Sequence, residues 1–331
     1  MTRGKEGIWY NIFMNKSSEV LEQQRITTKK VLVTSFAVDI LDIVLNSSVA
    51  ILSGSIIMVT QVLEGVSDLA SSGFLMVGFY RSKQREDKTH PFGYGREIYF
   101  WSLLSALIMF GLTSTLSFYL GWQRFSHPET LKDINWALAI LIITFFTNGY
   151  AFSLSFIRLL RKRPPKHIFK IFYRSSLVET KTTFILDLMG TSASLIGTVA
   201  LGIYILTGDL RFDGLGAMLI GIVLAVFSFF LVLGIRDLMI GKSASAETEE
   251  RIKKAALEIE EVEDVLDIKT LHIGSEKLLV NLYVHMKSRL GTRELEQLVD
   301  KIEDRIRLEV PSAKYVQVEL ESSRKLPLLK I

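Results

Sequence analysis

The sequence predicts a membrane protein of the all-α class, a bundle of six transmembrane helices followed by a small α+β domain outside the bilayer. Three observations predict it. Of 331 residues, 49% are hydrophobic and 22% charged, with a mean hydropathy of +0.31, less charge than a soluble protein of this size carries. The apolar residues fill the first three quarters of the chain and thin abruptly near residue 242. Beyond that point the chain turns charge-rich, starting with AETEERIKKAALEIEEVED, and has no apolar run of spanning length. The plan is a leader, 1–30, a transmembrane domain, 31–242, a C-terminal domain, 243–323, and a tail, 324–331.

A crossing helix needs about 20 predominantly apolar residues. Six segments supply them: 31–53, 55–80, 97–121, 135–160, 176–206 and 214–240. The first two are joined by LSGS, a tight turn of small residues. An even number of spans puts both termini on one side of the membrane. Basic residues decide which side. Arg25, Lys29 and Lys30 precede the first span; Arg81, Lys83, Arg85, Lys88 and Arg96 follow the second; RLLRKRPPKHIFK follows the fourth and Lys242 the sixth. The opposite connections, LSGS, GWQRFSHPETLKDIN and TGDLRFD, carry few. Positive charge stays inside, so both termini and the C-terminal domain are expected in the cytoplasm.

The same clustering at span ends accounts for the net charge of +4 without a nucleic-acid-binding patch. Absence of cysteine excludes disulfides, thiolate metal sites and cysteine nucleophiles together. The first 30 residues lack an apolar core before a cleavage site and read as a polar leader, part of it interfacial, rather than a signal peptide. With no targeting peptide, a prokaryotic plasma membrane is the expected location.

Polar residues inside spans are costly and usually functional. Span 1 holds Asp39, Asp42 and Asn46; span 2 holds Gln61, Glu64 and Asp68; span 4 holds Asn148; span 5 holds Glu179, Thr183 and Asp187. Residues four apart share a helix face, so Glu64 projects with Asp68 and Thr183 with Asp187. No Lys or Arg lies between residues 31 and 80, or between 182 and 210, to neutralise these carboxylates. A buried carboxylate with no counter-charge takes up a proton. Cations and protons competing for the same oxygens are the core of a metal/proton exchanger. A lone Asp39 or Asp42 is equally well read as a protonated partner in helix–helix hydrogen bonding. Gln61 and Asn148 suit interhelical hydrogen bonds or water ligation, and Thr183 the return of its hydroxyl to a carbonyl one turn back.

The run SIIMVTQVLEGVSD, residues 55–68, resembles the second-span signature of the cation diffusion facilitator family: a serine, small and apolar residues, a metal ligand, and an Asp four residues on. As in that family, a cytoplasmic loop follows that ends in His-Pro-aromatic-Gly-x-Gly-Arg, here HPFGYGR, residues 90–96. The resemblance covers about residues 30 to 320. It implies a homodimeric divalent-cation/proton antiporter that exports metal from the cytoplasm, not an enzyme. By position, it implies a transport site of Glu64 and Asp68 from span 2 with Thr183 and Asp187 from span 5. Zinc-transporting members have His or Asp where this chain has Glu64 and Thr183. The first change keeps an oxygen anion; the second removes a charged or imidazole ligand, which Glu179, one turn earlier, is placed to replace. An all-oxygen site points from zinc toward manganese, iron(II) or magnesium. The intrinsic binding order and the habit of the family favour zinc, iron and cobalt. The expected cargo is therefore a divalent transition metal (Zn, Fe, Mn or Co), with the choice open and no resident cofactor. The departure at Thr183 also motivates a second reading, a non-transporting homologue that regulates or binds a partner.

The C-terminal domain reads as helix, strand, strand, helix, strand. SAETEERIKKAALEIE and TRELEQLVDKIEDRIRL are amphipathic at helical spacing, and VLDIKTLHI and LLVNLYVHM alternate around the turn GSEK. KYVQVELE is the last strand. This αββαβ order gives a two-layer domain similar to the ferredoxin-like cytosolic domain of that family, which helps the dimer form and often binds regulatory metal. Only His272 and His285 offer imidazole here, on adjacent strands where they are candidates to meet across the hairpin. HPFGYGR itself reads as a structural lead-in to span 3, its glycines allowing a tight turn and Arg96 anchoring at the headgroups.

Overall fold

The computed structural model describes residues 40–160, 178–287 and 291–322; the leader, Asp39, residues 161–177 and the tail lie outside the described residues. Among the described residues, five helices are long and apolar enough to cross a membrane. They are α2 (Ile56–Arg81), α3 (Glu97–Ser126), α4 (Ile134–Leu160), α5 (Val178–Thr207) and α6 (Arg211–Ile240). The first predicted span is described as α1, Ile40–Ser53, a shorter apolar helix. The middle of α3, Met109–Thr113, is one π-helical turn.

The LSGS turn forms as its composition demands. Gly54 adopts φ +65°, and Ser55 caps α2 by accepting a hydrogen bond from the N–H of Met58. A second cap comes from a distant helix. Asp213, in the first turn of α6, is fully buried and accepts hydrogen bonds from Ser55 Oγ at 2.6 Å and from the N–H groups of Ile56 at 2.9 Å and Ile57 at 3.2 Å. The carboxylate therefore sits where the α2 dipole is positive. Arg124 of α3 lies 4.0 Å from the same carboxylate and donates to the carbonyl of Gly54 at 2.8 Å. One buried ion pair thus ties the outer ends of α2, α3 and α6.

α3 and α6 run against each other backbone to backbone. A Cβ on Gly121 would lie 2.6 Å from the backbone N of Met218, closer than real atoms approach, so only glycine permits this crossing. α4 packs along α5, α5 along α6, and α2 along α3, around a shared apolar core that includes Ile57, Met58, Ile98, Leu141, Met189, Ile220 and Leu224.

The C-terminal domain has the expected αββαβ order: α7 (Ala246–Leu257), β1 (Val262–Gly274), β2 (Lys277–Met286), α8 (Thr292–Glu309) and β3 (Ala313–Leu320). The sheet order is β1-β2-β3, with β1 antiparallel to β2 and β3 parallel to β2. Ile252, Ala255 and Ala256 of α7 and Leu298, Ile302 and Ile306 of α8 bury against Val280, Leu282 and Val284 of the central strand.

HPFGYGR does more than lead into α3. Gly93, at φ +73°, makes the turn. Asp87 collects hydrogen bonds from Thr89 Oγ1, Tyr94 Oη and the His90 and Thr89 N–H groups, which hold its carboxyl well below the usual carboxylate range. The loop so fixed reaches the C-terminal domain. Phe92 meets Tyr315 of β3 edge to face with ring centroids 5.3 Å apart. A Cβ on Gly274, at the end of β1, would lie 2.9 Å from Gly95 Cα.

Asp213→Ala is expected to lower stability by about 3 kcal/mol, because it strands three buried donors and takes a buried carboxylate from Arg124, which keeps the Gly54 carbonyl and Glu129. Thermal melts in detergent measure the loss, and a melting temperature equal to that of the parent would show that the three helix ends are held by something else.

Candidate cation site

The carboxylates predicted for spans 2 and 5 are brought to one depth by antiparallel packing. Ile57 of α2 lies against Gly197 of α5, where an added Cβ would come within 2.8 Å of its Cγ2. Seven residues along each helix, about 10 Å, bring Glu64 level with Gly190, and a further turn brings Asp68 level with Leu186 and Asp187. Asn148 of α4 closes on the same level, its Nδ2 2.8 Å from where a Cβ on Gly190 would stand. α1 joins from the other side. Gly65 packs on Ile43, so antiparallel geometry places Asp42 and Asn46 within a turn of Glu64, and Asp42 lies within electrostatic reach of it.

Glu64 is 3% exposed, and its environment is asymmetric. Oε2 accepts a hydrogen bond from Gln61 Nε2 at 3.2 Å; Oε1 is buried and has no hydrogen-bond partner among the described residues. Oδ1 of the buried Asn46 is in the same condition. Asp68, Thr183 and Asp187 are half-buried. The helix-face argument thus groups Glu64 with Asp68 in direction but not in depth of burial. Among the described residues, no group of three or more His, Asp or Glu side chains is close enough to hold a metal ion. The candidate ligands share a level without forming a finished cage. Of the remaining candidates, Asp39 and the side chain of Glu179 lie outside the described residues.

The histidines of the C-terminal domain do not meet, which corrects the expectation from the alternating strands. Register pairs His272 with Leu278 and His285 with Asp264, so the two stand at opposite ends of the hairpin, about 23 Å apart along β2. His285 sits with Nδ1 3.0 Å from the Glu321 carbonyl and Nε2 3.4 Å from Glu263. His272 lies at the junction with the membrane domain, where its N–H donates to the Lys242 carbonyl at 3.1 Å. Burial, and then the ammonium groups of Lys181 and Lys242, push its imidazole down to about 4. Those cations repel a metal ion as they repel a proton.

Comparison with known proteins decides the family. Residues 32–238 match the family model for the cation efflux transmembrane domain, and residues 244–323 match that for the cytoplasmic domain of cation efflux proteins. The chain belongs to the cation efflux, or cation diffusion facilitator, family. It is a multi-pass membrane protein of a transporter family and not an enzyme. Among its relatives, a mouse protein named as the mitochondrial proton-coupled zinc antiporter SLC30A9 is 25% identical over 262 residues, covering 77% of this chain and 46% of the mouse protein. Metal tolerance protein C4 of Arabidopsis thaliana is 23% identical over 67% of this chain and 49% of its own length. An uncharacterized transporter of Methanocaldococcus jannaschii is 22% identical, covering 88% of this chain and 98% of the other. The match spans about half the length of the first two relatives.

Sequence reasoning passed over Asp213 and Arg124, which lie in connections read only for their charge. The sign available was a lone Asp at the start of an apolar helix, opposite the LSGS turn.

Stability is expected to fall as pH drops from about 6.5 towards 4, since the unfolded chain protonates His272 before the folded one does; the loss is up to about 3 kcal/mol. In His272→Gln this part of the profile flattens. Melts recorded between about pH 7 and pH 4 test it, and an unaltered slope in the variant would exclude His272 as the cause.

Proposed function

We propose that this chain is a homodimeric antiporter that moves a divalent transition metal out of the cytoplasm in exchange for protons. The observation that carries this reading is the half-satisfied carboxylate of Glu64. Its Oε1 is a buried acceptor with no donor among the described residues, next to Asp42 and at the level of Asp68 and Asp187. A bare carboxylate oxygen in an apolar interior is matched by a cation or a proton and by little else. Two occupants competing for one oxygen are coupled by that competition. Metal entering from the cytoplasm displaces protons, and protons arriving from the far side displace metal. Asp68 and Asp187, on facing helices, close on the ion from two sides, and Asn46, Gln61 and Asn148 offer neutral oxygens around it.

Zinc is the cargo in the name of the mouse relative. The oxygen-rich site of this chain keeps manganese, iron(II) and cobalt as competitors. Lysine and arginine at alternate connections support cytoplasmic termini, and the match to the cytoplasmic domain of cation efflux proteins supports dimer formation through residues 243–323. A second reading, a non-transporting regulator or partner-binding homologue, is favoured by Thr183 alone, which offers no charge where relatives of the family carry a charged or imidazole ligand.

Proteoliposomes with an imposed pH gradient, loaded in turn with zinc, manganese, iron(II) and cobalt, test the proposal. Flux of a metal that collapses with the gradient is expected, and Asp68→Asn or Asp187→Asn should abolish it in folded protein. Full transport by either variant overturns the site, and absence of flux for every metal supports the regulatory reading.

A further inference from the structure

Serine hydroxyls within transmembrane helices ordinarily turn back to a carbonyl one turn earlier. This chain follows the habit at Ser53, Ser194 and Ser228, which donate to Val49, Gly190 and Leu224. Among the buried serines of the described membrane helices, Ser71, Ser102, Ser105 and Ser117 have no hydrogen-bond partner. The first three belong to one interface, and all are at most 1% exposed.

That interface lies between α2 and α3. Near its cytoplasmic end α3 crowds Gly78 of α2, where an added Cβ would lie 3.0 Å from Trp101 Cβ and 3.1 Å from Ile98 Cδ1. Near mid-membrane, Ser67 of α2 is hydrogen-bonded to Thr113 of α3. Ser71 lies one turn from Ser67 and two from Gly78, on the face they share. Ser102 and Ser105 lie one and two turns from Ile98 on the matching face of α3. The five hydroxyls therefore form a row of four levels, Ser67 and Thr113 paired at the first, with steps of about 5 Å along the helix axes. A water bridging two hydroxyls spans two hydrogen bonds of about 2.8 Å each, the same interval. Buried polar atoms without a protein partner are the usual hosts of bound water. One end of the row begins one turn from Glu64. The other opens beside Arg81 and Glu97, an ion pair at 3.6 Å at the cytoplasmic foot of the two helices.

We propose that the α2/α3 interface holds a file of bound waters, hung on Ser67, Thr113, Ser71, Ser105 and Ser102, that carries protons from Glu64 to the cytoplasm. The proton route is thereby separate from the path of the metal between α2 and α5. Each transfer balances. The Glu64 carboxyl gives its proton to the first oxygen, each oxygen accepts one proton and passes another on, and a proton leaves at Glu97; the carboxylate that remains is ready for metal. The transport part of this proposal rests on the antiport reading above, whereas the hydration part does not.

The test has two readouts on the intact protein in liposomes. X-ray radiolytic footprinting reports bound water, because a water held beside a buried side chain labels it. Met109, 1% exposed and one turn along α3 from Ser105, is the reporter. Strong labelling of Met109 is expected, with most of it lost in Ser71→Val/Ser105→Val, where methyl groups fill the water positions. An unlabelled Met109, together with a higher melting temperature in Ser71→Ala/Ser105→Ala, means a dry interface and overturns the proposal. The second readout is zinc-driven proton movement, followed with a trapped pH dye, alongside zinc affinity. In Ser71→Ala/Ser105→Ala, proton release is expected to slow by at least roughly tenfold while zinc affinity holds. Parent-like proton flux in that variant overturns the file alone. Absence of zinc-driven proton flux in the parent overturns the antiport reading, and the file as a proton route with it.

Discussion

A carboxylate inside a membrane domain must be matched, and this molecule meets that constraint in two opposite ways. Asp213 has every acceptor engaged: a serine hydroxyl, two backbone N–H groups and a nearby guanidinium. It is fully paired and fully buried, and it holds the outer ends of three helices. Glu64 has one oxygen engaged and one bare. The same chemical group is a fastener in the first environment and a docking point for a mobile charge in the second. The difference lies wholly in how many donors surround it, and the remaining architecture follows from keeping these two environments apart. The clamp occupies the outer rim, and the open carboxylate sits about two turns inward along the same helix.

Much of this was legible in the residues. LSGS announced its turn because only glycine adopts the backbone that Gly54 needs, and the αββαβ order followed from helical and alternating periodicities that fit no other assignment. Glu64 stood out because it has no basic residue within reach in the sequence. What the residues hid was pairing at a distance. Asp213 looks like an ordinary loop acid until α2 is placed beside it, since nothing local says that its partners lie more than 150 positions earlier. The histidines show a different gap. Alternation fixes which face a side chain takes but not what lies opposite. A hairpin closing at Gly274 and Lys277 places His272 against Leu278, so the turn position already ruled out a meeting with His285.

The two domains are joined by direct contacts. The α2–α3 loop is stiffened by Asp87 and pressed on the C-terminal sheet through Phe92 and Gly95. The helices that leave this loop are those that carry Glu64, Asp68 and the hydroxyl row. On the opposite flank, His272 accepts burial among lysines from the foot of α5 and the end of α6. The C-terminal domain is thus in touch with the α2–α3 loop, the foot of α5 and the end of α6.

The π turn at Met109–Thr113 has a consequence for how the gene can change. A π turn accommodates one more residue than an α turn over the same rise, so the segments before and after it are rotated relative to each other by about 100°. Below it, α3 shows Ile98, Ser102 and Ser105 to α2; above it, Gly121 and its neighbours face α6. Loss of one codon in this stretch would restore an unbroken α-helix and swing the lower half of α3 away from its partner, turning serines toward lipid. Insertion of one codon would do the reverse. The length of this helix is therefore locked to the single residue.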